Sequence, residues 1–265
     1  MTAQETAQRT ALGTGWLAVV GLGPGDAAMQ TPQAADALAA ATDLVGYATY
    51  LDRVPQCPGQ ARHGSDNRVE LDRARHALEL AEAGGRVAVV SSGDPGVFAM
   101  ASAVFEAIEA GPDAWRGLDV RILPGISAMF AAAARLGAPL GSDFCAISLS
   151  DNLKPWPLVL RRLTAAAGAG FVVALYNAAS QARPWQLGAA LDALRPVLPP
   201  GTPVVFATAV SRAEEAITVT SLADADPARA DMRTLVLIGT AATRRIERPD
   251  GRSWLYAPRS HPAAS

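Results

Sequence analysis

The sequence predicts an α/β protein made of two tandem α/β domains. Three observations carry that expectation. Apolar runs rich in β-branched residues, such as Gly15–Val20, Arg86–Val90 and Phe171–Leu175, alternate with longer stretches of helical periodicity, the pattern of a sheet with helices on its faces. Several runs end in turns of glycine, proline and small polar residues, at 21–26, 92–97, 124–128, 176–177 and 208–212. Strand carboxyl ends are where open α/β sheets bind ligands. The pattern changes after Gly137-Ala138-Pro139-Leu140-Gly141, a cluster of chain breakers that marks a domain boundary. The expected organisation is a disordered tail over 1–14, an N-terminal domain over 15–137 and a C-terminal domain over 142–265.

Taken in order, Gly15–Val20 is the first strand. Thr31 (N-cap) and Pro32 (first turn) open a helix over the alanine-rich stretch 34–41. Leu44–Gly46 is a short strand and Pro55–Asn67 a loop. Leu71, Ala74, Leu78 and Ala81 recur at helical spacing within 68–83, with charges on the other face. After the strand at 86–90, a helix is expected over about 97–110, a strand over 119–123 and an alanine-rich helix to Leu136. Beyond the boundary, strands are expected at 144–148, 171–175, 203–207, 216–220 and 234–238, with helices at 157–167 and 185–198. Ile217 and Val219 alternate with threonines, which predicts a half-exposed antiparallel strand.

Half of the 265 residues are hydrophobic and 18% are charged, enough for a sizeable core. A net charge of −2 points to neither nucleic acid nor a membrane surface. The two cysteines, Cys57 and Cys145, make no metal spacing and no disulfide framework, so a reduced, cytoplasmic setting is expected. Met1–Thr10 is polar, without the apolar core of a signal peptide. The uncharged segment Leu163–Ala182 contains glycines, Asn177 and Gln181; it reads as helix end, buried strand and turn rather than a membrane span. Lys154 is the only lysine among many arginines, and arginine pairs bidentately with carboxylates.

The stretch that organises the rest is Val89-Val90-Ser91-Ser92-Gly93-Asp94-Pro95-Gly96-Val97-Phe98: a buried strand, a glycine turn that lets a ligand approach the main chain, and a helix start. Asp94 reads either as a cap or as a ligand anchor. Gly21-x-Gly23 invites a dinucleotide-binding reading, but Asp26 replaces the third glycine, no helix follows directly, and Asp43 precedes the second strand where the ribose-binding acid should follow it. The histidines at 63, 76 and 261 are scattered in the sequence, so a metal site or a Ser-His-Asp triad is not expected; His76 reads as solvated. The remaining turns offer backbone donors and acceptors but little acid–base machinery, which suits a cofactor with intrinsic reactivity.

Gly21-Leu22-Gly23-Pro24-Gly25-Asp26, Gly93-Asp94-Pro95 and Pro124-Gly125-Ile126-Ser127-Ala128, in this order, resemble the signature of the tetrapyrrole (corrin/porphyrin) methyltransferase family. Gly46-Tyr47-x-Thr49-Tyr50-Leu51, Asp143–Asp151, Leu175-Tyr176-Asn177 and Arg183-Pro184-Trp185-Gln186-Leu187-Gly188 support the resemblance, which runs from about Gly15 to Arg244. It implies an S-adenosylmethionine enzyme, usually a homodimer, with the cofactor in a cleft between two α/β domains. The implied reaction is methylation of a precorrin at C17 with ring contraction; a cobalt-containing substrate or another ring carbon is the alternative. Carried over by position, the cofactor contacts are Pro24, Ser92, Gly93, Asp94, Val97, Ser127, Ala128, Asn177, Ala209 and Thr234. Asp94 and Asp151 are the candidate general bases. Arg53, Arg183 and Arg212 are candidates for the substrate's carboxylate arms. The chain departs from the family where an Arg-Asn-x-Gly-Arg stretch becomes Thr208-Ala209-Val210-Ser211-Arg212. Two rival readings stay open, an NAD-dependent oxidoreductase and a non-catalytic binding protein of the same fold.

Overall fold

The computed structural model describes residues 15–66, 69–180 and 182–260. The expected tail at 1–14, the helix start at Arg68, Gln181 and His261 lie outside the described residues. The chain divides into two compact units, 1–127 and 128–265.

The first unit runs β1 (Trp16–Gly21), α1 (Pro32–Ala40), β2 (Asp43–Tyr47), α2 (Ala48–Leu51), β3 (Ala61–Ser65), α3 (Glu70–Glu82), β4 (Arg86–Ser91), α4 (Met100–Ala110) and β5 (Asp119–Leu123). Its five strands form a parallel sheet in the order β3-β2-β4-β1-β5. β1 is buried throughout because both faces are covered. Trp16, Ala18 and Val20 join Ala34 and Leu38 of α1 on one face. Leu17 and Val19 join Ala77 and Leu78 of α3 and Val104 of α4 on the other, as a two-residue repeat requires. The Thr31 hydroxyl accepts from the Ala34 amide at 3.2 Å, with Pro32 in the first turn.

Two expectations fail here. The loop expected at 55–67 contains β3, whose Ala-Arg-His-Gly-Ser sequence has no apolar period; it is an edge strand held by pairing with β2. The helix expected from 97 starts at Met100, because the turn after β4 uses the residues up to Val97, whose amide bonds the Asp94 carbonyl.

The second unit runs α5 (Ala128–Leu136), β6 (Gly137–Ala138), β7 (Phe144–Ser148), α6 (Trp156–Gly168), β8 (Val172–Tyr176), α7 (Gln186–Leu194), β9 (Pro203–Thr208), β10 (Ala216–Ser221), β11 (Thr234–Ile238), β12 (Arg244–Glu247) and β13 (Ser253–Tyr256). Five strands form a mixed sheet, β10-β9-β11-β8-β7, in which only β7 and β8 pair in parallel. Leu163 of α6 and Leu187, Leu191 and Leu194 of α7 cover one face together with Val173, Phe206 and Val236 of the sheet. β10 is the expected half-exposed antiparallel strand, and it lies at the edge of the sheet. The helix expected at 185–198 is shorter, Gln186–Leu194.

The boundary expected at 137–142 gives way to one after Ser127. α5 packs on β6, β11 and β13 of the second unit, and the breaker stretch is itself a strand: Gly137 and Ala138 pair with Leu255 and Tyr256 of β13. Gly137 sits at φ +119, and a β-carbon there would stand 2.9 Å from the Leu255 carbonyl oxygen. The sheet of β12, β13 and β6 carried no expectation. No helix among the described residues is long and apolar enough to cross a membrane.

Candidate functional site

In the first unit, α1 follows β1 onto one face of the sheet and α4 follows β4 onto the other. β1 and β4 are neighbours, so their carboxyl ends flank the point where successive connections part to opposite faces, the usual ligand crevice of an open parallel sheet. The turns after β1 and β4 clasp each other there. Gly23 and Gly93 exchange both backbone bonds, at 3.2 and 2.9 Å, and the Leu22 amide donates to the Ser91 carbonyl at 2.8 Å. The turn after β5 packs against both: a β-carbon on Gly125 would meet the Gly93 carbonyl oxygen at 2.2 Å and Gly21 at 2.9 Å.

Asp94 locks this arrangement. One carboxylate oxygen accepts from the Gly96 amide at 2.8 Å and the other from the Gly125 amide at 3.1 Å. The side chain therefore joins the second turn to the third. Arg53 joins the first turn to the second: Nη2 donates to the Leu22 and Gly23 carbonyls at 3.3 and 3.0 Å, and Nη1 to the Ser92 hydroxyl at 3.0 Å. Pro24, Gly93 and Ser127 are buried, while Ser92, Asp94 and Val97 are half-buried. Phe98, just beyond, is half exposed with φ +52.

In the second unit three of the expected residues gather at one end of the interior strands of the mixed sheet. Asn177 follows β8, Ala209 follows β9, and Thr234 begins β11, which runs antiparallel to both. Asn177, at φ +54, donates from Nδ2 to the Ser148 hydroxyl at 2.9 Å, at the end of the adjacent β7. Ala209 and Ser211 hold φ +49 and +64. Positive φ costs an ordinary side chain energy and clusters at functional sites. The resemblance implies asparagine and glycine at these two positions, the residues that adopt this conformation most readily. The Ser211 amide donates to Glu215 at 2.6 Å, and Glu215 pairs with Arg135 at 3.0 Å.

The Thr234 hydroxyl is committed within the fold, to Thr208 at 2.8 Å and Asp231 at 2.9 Å. Burial pushes the Asp231 carboxyl up, but hydrogen bonds from Arg233 and Thr234 outweigh it and hold it below its ordinary 3.8. Ala128 opens α5. Asp151 accepts from Gln186 Nε2 at 3.3 Å on both oxygens. Gln186 is 1% exposed, and its Oε1, like Nη1 of Arg183, is buried without a partner. The Trp156 and Trp185 rings meet edge-on at 5.0 Å. Arg212 is half-buried, with its amide on the Ala209 carbonyl at 3.0 Å.

Two readings change and one stands. Arg53 is committed to turn carbonyls and Ser92. His63 and His76 are not scattered: His63 bonds Asp43 at 2.9 Å and His76 at 3.0 Å, although His76 remains exposed. Asp43 is the first residue of β2, at the strand end opposite the ligand turns, where no ribose-binding acid would stand. No group of three potential metal ligands occurs among the described residues. Ser148 and Asp231 were missed; nothing in their local sequence distinguishes them from ordinary strand-end and turn residues.

Comparison with known proteins agrees with this arrangement. The family described as Tetrapyrrole (Corrin/Porphyrin) Methylases matches residues 17–226. A Sinorhizobium protein named Precorrin-3B C(17)-methyltransferase is 57% identical over 252 residues, covering 95% of this chain and 99% of the relative. The crystal structure of the methyltransferase CobJ superposes with a TM-score of 0.88 at 56% identity, over 92% of this chain and 100% of that one. A Salmonella typhimurium protein named probable cobalt-factor III C(17)-methyltransferase is 41% identical, over 86% of this chain and 93% of the relative.

Proposed function

This chain belongs to the tetrapyrrole (corrin/porphyrin) methylases, and from that premise we propose that it methylates precorrin-3B at C17, with ring contraction to precorrin-4, in cobalamin biosynthesis. The observation that carries the reading is the 57% identity to the Sinorhizobium enzyme over nearly the full length of both chains.

The residues fit the cofactor this implies. The turns after β1, β4 and β5 bring backbone within van der Waals reach at Gly21, Gly93 and Gly125, and Asn177 and Ala209 hold strained backbone at a second set of turns. When bound, S-adenosylmethionine supplies an electrophilic methyl group. We assign its contacts to Pro24, Ser92, Gly93, Asp94, Val97 and Ser127 of the first unit and to Ala128, Asn177, Ala209 and Thr234 of the second. Asp94 holds its turn to Gly125 and so keeps the main-chain contacts in place. Methyl transfer is an in-line displacement, so these residues act by fixing alignment and excluding water.

Contraction of the ring requires a hydroxyl to lose its proton. Asp94 spends an oxygen on each of two backbone amides, whereas Asp151 accepts only long bonds from Gln186. We favour Asp151 as the base on that ground. Arg183 and Arg212 are assigned to the substrate's carboxylate arms, through charge-assisted bonds; the unpartnered Nη1 of Arg183 supports the first. A homodimer, supported by the family resemblance, and a cytoplasmic setting, supported by the cysteine usage, complete the reading.

A cobalt-carrying substrate is the second reading, favoured by the Salmonella relative but at lower identity, 41%. Anaerobic incubation with S-adenosylmethionine and either substrate, read by mass spectrometry, separates the two. A one-methyl gain on precorrin-3B, with C20 expelled from the ring as an acetyl substituent that stays attached to the contracted macrocycle, is the expected result. Gain only on the cobalt form moves the assignment to the second reading, and gain on neither removes both.

A further inference from the structure

The Arg53 guanidinium has only donors, so the Ser92 hydroxyl must accept from it at 3.0 Å. The hydroxyl proton is thereby turned away from Arg53, and it makes no bond to a described residue. The same guanidinium takes the carbonyls of Leu22 and Gly23, so it fixes the turn after β1 and the hydroxyl after β4 as one piece.

The segment carrying Arg53 is itself held. Leu51 and Val54, on either side of it, are buried at 4% and 6% exposure. Arg62 of β3 donates to the Leu51 carbonyl at 2.8 Å and to those of Val54 and Pro55 at 2.7 Å. One arginine therefore braces the loop from which the second reaches the ligand turns.

We propose that Arg53 is a positioning residue that sets Ser92 as a hydrogen-bond donor to an acceptor atom of the adenosyl cofactor. The inference rests on the cofactor reading above. It gives Arg53 a role other than carboxylate capture, and a lysine in its place could not reproduce the three-way fork.

The test is calorimetric binding of S-adenosylhomocysteine to the full chain, its Arg53→Lys and Ser92→Ala variants and the double variant, with thermal melting alongside. Each single substitution is expected to weaken binding about tenfold or more, as loss of a hydrogen bond to a charged partner does. The double variant should lose less than the product of the two losses, since Arg53 acts through Ser92. In turnover the loss should fall on KM for the methyl donor, with kcat held within about twofold. Should Arg53→Lys fail to fold, Arg53→Met, which keeps the length of the side chain but cannot donate to Ser92, takes its place in the cycle. Single variants that bind like the parent, or losses that multiply, would overturn the inference while leaving the cofactor reading intact. A parent chain that does not bind S-adenosylhomocysteine overturns both.

Discussion

The α-carbon of Gly125 approaches Gly93 so closely that a β-carbon on it would stand 2.2 Å from the Gly93 carbonyl oxygen. That oxygen already accepts from Gly23, so the obstruction is backbone and cannot swing aside. Gly125→Ala should cost about 1–3 kcal/mol of stability, as overpacking does. It should also weaken S-adenosylhomocysteine binding, read by urea titration and calorimetry. A normal denaturation midpoint would show that the turns part easily.

Ala209 and Ser211 hold positive φ without the residues that favour it. Ala209→Asn and Ser211→Gly should each stabilise the chain, by on the order of 1 kcal/mol. The gain should appear as a higher denaturant midpoint. A fall in both midpoints would mean that side-chain packing, not backbone strain, decides these positions.

Asp151→Asn should leave methyl transfer in place and slow the contraction, since an amide cannot take the proton. Carbon-13 NMR would then find the methylated macrocycle without the acetyl carbonyl signal that contraction creates. Full contraction at the parent rate would remove Asp151 as the base.

Acid stability should carry the mark of Asp231. Its carboxyl is held below 3.8 in the folded chain, so below that range the unfolded chain binds more protons. The stabilisation is fully present above the ordinary value and is lost as pH falls through the folded one. Asp231→Asn should be less stable than the parent near neutrality and lose less between about pH 5 and pH 3. Parallel stability curves for the two chains would contradict this.

The two thiols should separate in reactivity. Burial pushes the Cys145 thiol above its ordinary 9.0, while Cys57 is exposed. Iodoacetamide at about pH 7.5 should label Cys57 first, because the thiolate is the nucleophile. Peptide mapping that finds Cys145 modified first would refute it.

β1 and β4 were readable because both faces are covered and every residue but Arg86, the exposed first residue of β4, is apolar or small. The cap at Thr31 and Pro32 was readable because it acts within one turn. β3, β6 and β12 were not, since β3 and β12 are edge strands held by backbone pairing and β6 is only two residues long. The boundary was misplaced for a related reason: Gly137 looks like a breaker until its partner Leu255 is known. In the site, the turns announced themselves by composition, but their partnerships did not. Asp94 meets the Gly125 amide, and Arg53 meets the Leu22 carbonyl, across sequence distances that no local pattern encodes.

The strand pairing of β6 with β13 also fixes an order of events during synthesis. The first unit has all its strands within residues 16–123 and can close while the rest of the chain is still being made, since domains generally fold as units from the N-terminus. The second unit cannot. β6 stands near its beginning, and its partner β13 is the last strand. β11, which joins β9 to β8 in the middle of the sheet, also comes late. A nascent chain stalled before Thr234 would hold β8 and β9 with their shared edge open, a surface that invites pairing with another chain until translation supplies the missing strand.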